Sequence, residues 1–333
     1  MTDNGSPKMS VIILTPDCYE TIRKTMRCLR AQSACDQLEI IIVASSASGL
    51  FDGEMELAEF NDVRVIEIGP INSTPGARAV GVRHAAASVV AFAEDHSYPD
   101  LHWAKALIAR HRGPWAAVGP AMCNANPHST LSWVNLAIEY GPWLDPVPGG
   151  PVDHLPGHNS SYKRDLLLAY GSELEAMLEA ESVLHWDLRA KGYQLHLEPT
   201  AKTFHLNYSL LSATLPLRFL GGRLFASSRA RSWTLVRRLI YAVAGPLIPL
   251  VRAPRILRDL HRAGRLRHLL PGVLPVLAVA LAIDAAGEMV GYLFGSGQTM
   301  RALSGMEFHR HRFMNRSDKR TLDAERNAAL VAE

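Results

Sequence analysis

Ser88-Val-Val-Ala-Phe-Ala-Glu-Asp-His96 is an apolar run closed by two acids and a histidine. An apolar run of this length reads as a buried strand, and Glu94-Asp95-His96 then stands at its C-terminal edge, where open α/β sheets bind their ligands. Adjacent carboxylates beside an imidazole are tolerated when a cation or a hydrogen-bond network lies among them. The knot therefore points to a divalent metal with a phosphate partner. It also reads as the acidic start of a helix, because Pro99-Asp100-Leu-His-Trp-Ala-Lys105 follows closely.

On both sides of this run, apolar strands alternate with helical periods. Strands are expected at 10–14, 38–44, 63–67, 88–93 and 115–119, and helices at 19–32, 76–87 and 100–112. That alternation predicts a largely parallel sheet covered on both faces. Ile22, Met26 and Leu29 recur at helical spacing, and Asp17 is placed to cap their helix. Leu38-Glu-Ile-Ile-Ile-Val43 is too continuously apolar for a half-exposed strand.

Seven segments follow one another in a telling order. They are Ser10-Val-Ile-Ile-Leu-Thr15 with Glu20–Gln32, Leu38–Val43, Gly76-Ala-Arg-Ala-Val-Gly-Val-Arg83, Phe92–His96, Pro156-Gly-His-Asn-Ser-Ser-Tyr-Lys-Arg164, Glu181-Ser-Val-Leu184, and Pro199-Thr-Ala201 with His205. Over roughly 200 residues, their order and spacing resemble those of the family 2 glycosyltransferases. The resemblance implies a glycosyltransferase A fold, α/β with a mostly parallel sheet flanked by helices, over residues 1–215. It implies inverting transfer of a sugar from a nucleotide-sugar donor to a lipid-linked or polysaccharide acceptor. Phe92–His96 falls at the family's Asp-x-Asp metal strand, so Asp95, His96 and His205 are the implied ligands of Mn²⁺ or Mg²⁺. Thr15, Pro16, Asp17, Ser45, Arg78, Arg83, Glu94 and Asp95 are implied nucleotide contacts. Glu181 is the implied general base, while Gly157, His158, Asn159 and Trp143 are expected on the acceptor or sugar side.

Two departures matter. The family normally carries Asp where this chain has His96, and imidazole suits Mn²⁺ better than Mg²⁺. If no metal binds, His96 and the arginines are left to stabilise the phosphates. The family also carries carboxylates where this chain reads Ala44-Ser45-Ser46, which leaves the nucleotide open. It also admits a second reading, a catalytically silent homologue that scaffolds a polysaccharide assembly complex. A nucleotidyltransferase would need a Gly-rich basic loop after the first strand, and Thr15-Pro16-Asp17 is not one.

Glu181 at its ordinary pKa of about 4.3 is a weak base, and burial beside Trp186 is expected to raise it. Glu173, Glu175, Glu179 and Glu181 also read together as one solvated helix face. Trp133 and Trp143 flank a Pro/Gly-rich stretch, fit either to stack on a sugar ring or to pack in the core.

Composition separates the remainder of the chain. Twelve arginines lie between Arg218 and Arg267, with Asp259 the sole acid among them, against a net charge of only +3 for all 333 residues. Residues 216–300 also hold two apolar runs. The first, 235–251, is broken by Pro246 and Pro249; the second, starting at 269, reaches spanning length only by including Asp284 and Glu288. Helices lying in a membrane interface, or a shallow hairpin, are the expectation, with a soluble bundle or dimer interface as the alternative. No nucleic-acid motif accompanies the arginines. Residues 301–333 read as a basic, polar, loose tail. Cys18, Cys28, Cys35 and Cys123 have no framework spacing and read as reduced thiols, and Met1–Ser10 lacks a secretory signal. The expected place is the cytoplasm, at the inner face of the cell membrane.

Overall fold

The computed structural model describes residues 5–48, 50 and 59–331. Its elements begin β1 (Met9–Thr15), α1 (Tyr19–Arg30), β2 (Leu38–Ala44), β3 (Asp62–Glu67), α2 (Thr74–His84), β4 (Val89–Ala93), β5 (Ser97–Pro99), α3 (Trp103–Arg110) and β6 (Trp115–Asn124). There follow α4 (Thr130–Tyr140), β7 (Gly150–Val152), β8 (Ser161–Lys163), α5 (Arg164–Leu168), α6 (Leu174–Leu178), α7 (Glu181–Ala190) and β9 (Gln194–His205). Helices close the chain: α8 (Leu211–Arg229), α9 (Leu235–Val243), α10 (Ile248–Arg262), α11 (Leu266–Leu269), α12 (Val273–Phe294), α13 (Thr299–Glu307) and α14 (Arg316–Val331). The chain divides into two compact units, the first holding residues 1–123, 143–204 and 228–232, the second the rest.

The first unit is the expected α/β sheet. Its strands run β3-β2-β1-β4-β8-β6-β9-β5, with β7 beside β9. β1 to β4 pair in parallel, whereas β8 runs antiparallel to both β4 and β6. β1, β2 and β4 are buried at every position, as continuously apolar strands in a two-faced sheet must be. α1 covers one face through Ile22, Met26 and Leu29, packed with Val11, Ile13, Ile40 and Ile42. α2 covers the other so closely that a Cβ at Gly81 would fall 2.5 Å from Cγ2 of Ile12. Glu39 survives inside β2 because its carboxylate accepts from the Ser10 hydroxyl and the Ala86 amide (2.8 Å) and faces Arg64 (3.3 Å).

Three short strands, β5, β7 and β8, went unexpected, since three residues carry no readable period. Asp17 does not cap α1 from the N-cap position, which Cys18 occupies; its Oδ1 accepts instead from the Cys18 amide (2.8 Å) and the Thr21 hydroxyl (2.7 Å).

The second unit is helical. α12 meets α8 backbone to backbone: a Cβ on Gly287 would lie 2.1 Å from the Phe219 carbonyl oxygen, and one on Gly291 2.3 Å from that of Arg223. Asp284 and Glu288, the charges inside the apolar run, are buried and face Arg252 of α10. Their cost in an apolar setting is thus offset by a partner on a neighbouring helix. Among the described residues, α12 is the single helix long and apolar enough to cross a membrane, and α9 with α10 passes the same test only as a pair bent by 45°. Within the tail, Arg310 is 4% exposed, pairs with Glu307 (2.6 Å), donates to the Leu206 carbonyl (3.2 Å) and lies over the Tyr208 ring.

The α8–α12 contact carries a prediction. Gly287→Val forces two backbones apart, and overpacking of this kind destabilises by roughly 1–3 kcal/mol. A lowered urea midpoint with unchanged slope is expected; an unchanged midpoint removes the contact from the helical core.

Candidate active site

Four pieces of the first unit converge at the end of β4. α2 starts at Ser73, whose hydroxyl accepts from the Gly76 amide (3.1 Å), and its first turns carry Arg78 toward the sheet. A single helical turn, Gly157–Asn159, precedes β8. α7 begins with Glu181. The fourth piece is Glu94 itself.

Glu94 is the centre of the arrangement. Its Oε1 accepts from Arg78 Nη2 (3.3 Å) and from His158 Nδ1 (3.1 Å). Its Oε2 accepts from Asn159 Nδ2 and Ser97 Oγ, both at 3.0 Å. His158 continues through Nε2 to Oε1 of Glu181 at 2.5 Å, and Arg78 Nη1 lies 3.5 Å from the same oxygen. Two carboxylates and two cations therefore close a ring. The ring fits because residue 157 is glycine: a Cβ there would fall 2.4 Å from both Cβ and Cγ of Glu181.

The ring sets the protonation of its members. Burial and the nearby Arg78 push His158 down, but the Glu181 charge and the hydrogen bonds to Glu181 and Glu94 outweigh them, and its pKa rises to about 10. His158 is thus an imidazolium at neutral pH. Burial pushes Glu181 up, yet the His158 imidazolium and Arg78 prevail and hold it below the usual carboxylate range. The rise expected from Trp186 is reversed. That indole instead donates to His154 Nε2 (3.3 Å) and lies under the Arg229 guanidinium.

Behind the ring sits an uncharged pair. Burial drives His185 down to about 3, so its ring is neutral. Its Nδ1 faces the Leu155 amide (3.5 Å), which leaves Nε2–H to donate to the Tyr162 hydroxyl (3.0 Å), itself 3.5 Å from the Gly157 carbonyl. This chain of contacts supports the Gly157–Asn159 turn from below.

Asp95 and His96 form a second pair, with Asp95 Oδ1 2.6 Å from His96 Nδ1. His96 Nε2 then faces Glu94 Oε2 at 3.5 Å. A carboxylate on one ring nitrogen, with the other turned toward an oxygen donor, is the arrangement that orients metal-ligating histidines. The donors fit a borderline ion such as Mn²⁺. His205 belongs to the second unit, where its Nδ1 meets Asn207 Oδ1 (2.7 Å), Nε2 lies 3.5 Å from Arg310 and the ring packs on Tyr140.

The structure brings Arg78, Glu94, Gly157, His158, Asn159 and Glu181 together. It places Thr15, Pro16, Asp17 and Ser45 at the C-terminal ends of β1 and β2, with the Ser45 amide on the Thr15 carbonyl (3.3 Å). Ala44-Ser45-Ser46 lacks a carboxylate, but Glu67 at the end of β3 reaches this edge and accepts from the Ala47 amide (2.9 Å). Arg83 is exposed and donates to the Gly171 carbonyl (3.4 Å), outside the ring. Trp143 donates to the His154 carbonyl (2.9 Å). Ser97, Tyr162 and His185 were missed by sequence reasoning. Ser97 was findable from its place three residues after Glu94, whereas nothing local marks the other two.

No protein-family model and no curated protein matches the chain. Solved structures similar to it include that of GalNAc-T7 with UDP, GalNAc and Mn²⁺, at 15% identity and a TM-score of 0.48, over 63% of this chain and 44% of that one. They also include S. aureus TarS 1-349 in complex with UDP, at 15% identity and a TM-score of 0.45, over 86% of this chain and 90% of that one. The chain thus spans less than half the length of the first of these. Likeness at this level assigns no chemistry, which has to come from the site itself.

Proposed function

We propose that this chain is an inverting glycosyltransferase that takes its sugar from a nucleotide-sugar donor. The observation that carries the reading is the ring of Glu94, His158, Glu181 and Arg78 at the C-terminal edge of β4. Transfer requires an acceptor hydroxyl to lose its proton as its oxygen attacks the anomeric carbon. The bond from that carbon to the diphosphate breaks, and the nucleoside diphosphate leaves. Glu181 is ionised and therefore in the proton-accepting form across the neutral range. Arg78 and the His158 imidazolium supply positive charge beside it. Asn159 and His158, on a tight turn, are placed to hold sugar hydroxyls. Glu94, Asp95 and His96 would hold a divalent ion, which when bound neutralises diphosphate charge.

The acceptor in this reading is lipid-linked or a polysaccharide, and the chain works at the inner face of the cell membrane. The arginine-rich helices of the second unit support that placement. One observation favours the silent scaffold instead: His158 already occupies an oxygen of both Glu94 and Glu181.

Thermal shift against UDP, GDP, dTDP and CDP sugars, with and without Mn²⁺, separates the two. A ligand at about a hundred times its Kd adds roughly 2.7 kcal/mol of stability. A metal-dependent shift with one nucleotide supports transfer and names the donor class. No shift from a cooperatively melting protein supports the scaffold. Asp95→Asn and His96→Ala are each expected to abolish the Mn²⁺ dependence, and unchanged dependence removes the metal from the reading. His205→Ala in the same assay tests the further ligand that the resemblance implies.

A further inference from the structure

We propose that the α9–α10 elbow is a half-inserting wedge that docks the second unit on an anionic lipid bilayer. The inference deepens the membrane-surface part of the reading above, on which it rests, and is independent of sugar transfer.

The elbow leaves its apolar side chains in solvent. Val236, Leu239, Ile240, Val243, Leu247 and Leu250 are between 44% and 79% exposed. A contiguous apolar surface of this kind marks an interaction site, since isolated exposed leucines are common but such groups are not. Its occupant follows from what borders it. Residues 239–251 carry no charge and are bounded by Arg237 and Arg238 before and by Arg252 and Arg255 after. Arg237 lies over the Trp233 ring (4.0 Å), which packs against Tyr241 (4.6 Å). Arginine, tryptophan and tyrosine at the rim of an apolar patch match the headgroup level of a bilayer.

The depth of insertion follows as well. Thirteen uncharged residues are too few for a span, which needs about 20. They are also bent by 45° at the junction of α9 and α10. Arg252 turns inward to Asp284 and Glu288 of α12, so an ion-paired floor lies beneath the wedge. An isologous contact with a second copy would set these arginines against themselves, with no acid other than Asp259 between Arg218 and Arg267 to answer them. The complementary surface is anionic and apolar, which is a bilayer carrying acidic lipids.

The test is flotation of the full chain with vesicles of phosphatidylcholine alone and of equimolar phosphatidylcholine–phosphatidylglycerol. Wild type is expected to float with the anionic vesicles and to lose binding at high salt. Ile240→Glu/Leu247→Glu changes exposed positions outside the ion pairs, and its partition coefficient is expected to fall at least about tenfold with an unchanged melting temperature. Arg255→Ser/Arg258→Ser is expected to lose about fivefold per arginine on anionic vesicles. A wild type that floats with neither vesicle overturns the wedge and the membrane reading together. Equal flotation of wild type and the double glutamate variant overturns the wedge while leaving membrane attachment to another segment. A concentration-dependent dimer abolished by those glutamates, without vesicle binding, overturns it in favour of self-association. Nucleotide-sugar binding measured on the same preparations reports separately on transfer.

Discussion

Glu181→Gln is expected to lower sugar transfer by about a hundredfold to ten-thousandfold, the range for loss of a general base. The amide matches the carboxylate in shape, so the fit against Gly157 is kept. What changes is the ability to take a proton. Donor affinity, read by titrating the nucleotide sugar, is expected to hold, because Glu181 lies at the first turn of α7 rather than among the Thr15–Asp17 and Ser45 elements. A loss in kcat with steady donor affinity assigns the base. Transfer at the wild-type rate moves the base elsewhere, while weakened donor binding with little change in kcat makes Glu181 a structural member of the ring.

The second large effect is on stability. Arg78 is 5% exposed and faces both Glu94 and Glu181. Arg78→Ala leaves the buried Glu94 and the partly buried Glu181 with His158 as their shared counter-charge, and breaking such an arrangement costs roughly 3–5 kcal/mol. Urea unfolding at neutral pH is the measurement. A loss under about 1 kcal/mol would mean the ring behaves like a surface pair. Arg78→Lys is expected to recover part of the loss, since it restores the charge without the fork that reaches both carboxylates.

pH dependence follows from the same groups. The Glu181 pKa is lowered in the fold, so its contribution exists above the ordinary carboxylate range and disappears on acidification. The His158 pKa is raised to about 10, so its contribution is complete below an ordinary histidine pKa and declines as pH climbs toward 10. The gap between wild type and Arg78→Ala is expected to narrow in acid, where Glu181 no longer needs the arginine.

The sheet was legible because buried parallel strands write themselves as unbroken apolar runs. Ser88–Ala93 appears as β4 within a residue of its expected start, and Leu38–Val43 appears within β2. Glu94 was legible as one of three adjacent polar residues at the strand's edge, but not as the centre of a ring. Its partners His158 and Asn159 lie 64 and 65 residues away, and only the fold brings them to it. The direction of the Glu181 shift was misjudged because burial does raise it, as expected, but the His158 imidazolium and Arg78 outweigh burial, and both lie far from Glu181 in sequence. Asp284 and Glu288 read as an obstacle to an apolar helix, and Arg252, 32 residues before Asp284, is what accommodates them. Arg310 gave no periodic signal at all, since it is held by a carbonyl and an aromatic face rather than by a pattern of its own.

His158 offers the chain a built-in reporter. Both of its ring N–H groups end on carboxylate oxygens, Nδ1 on Glu94 and Nε2 on Glu181. Protons held in such charge-assisted hydrogen bonds resonate apart from the bulk of the spectrum. Anything that enters the ring and takes an oxygen from Glu94 or Glu181 frees one of those protons. Occupancy of the site can therefore be followed by proton NMR on the unlabelled protein, one nitrogen at a time, with each resonance naming the carboxylate that was taken.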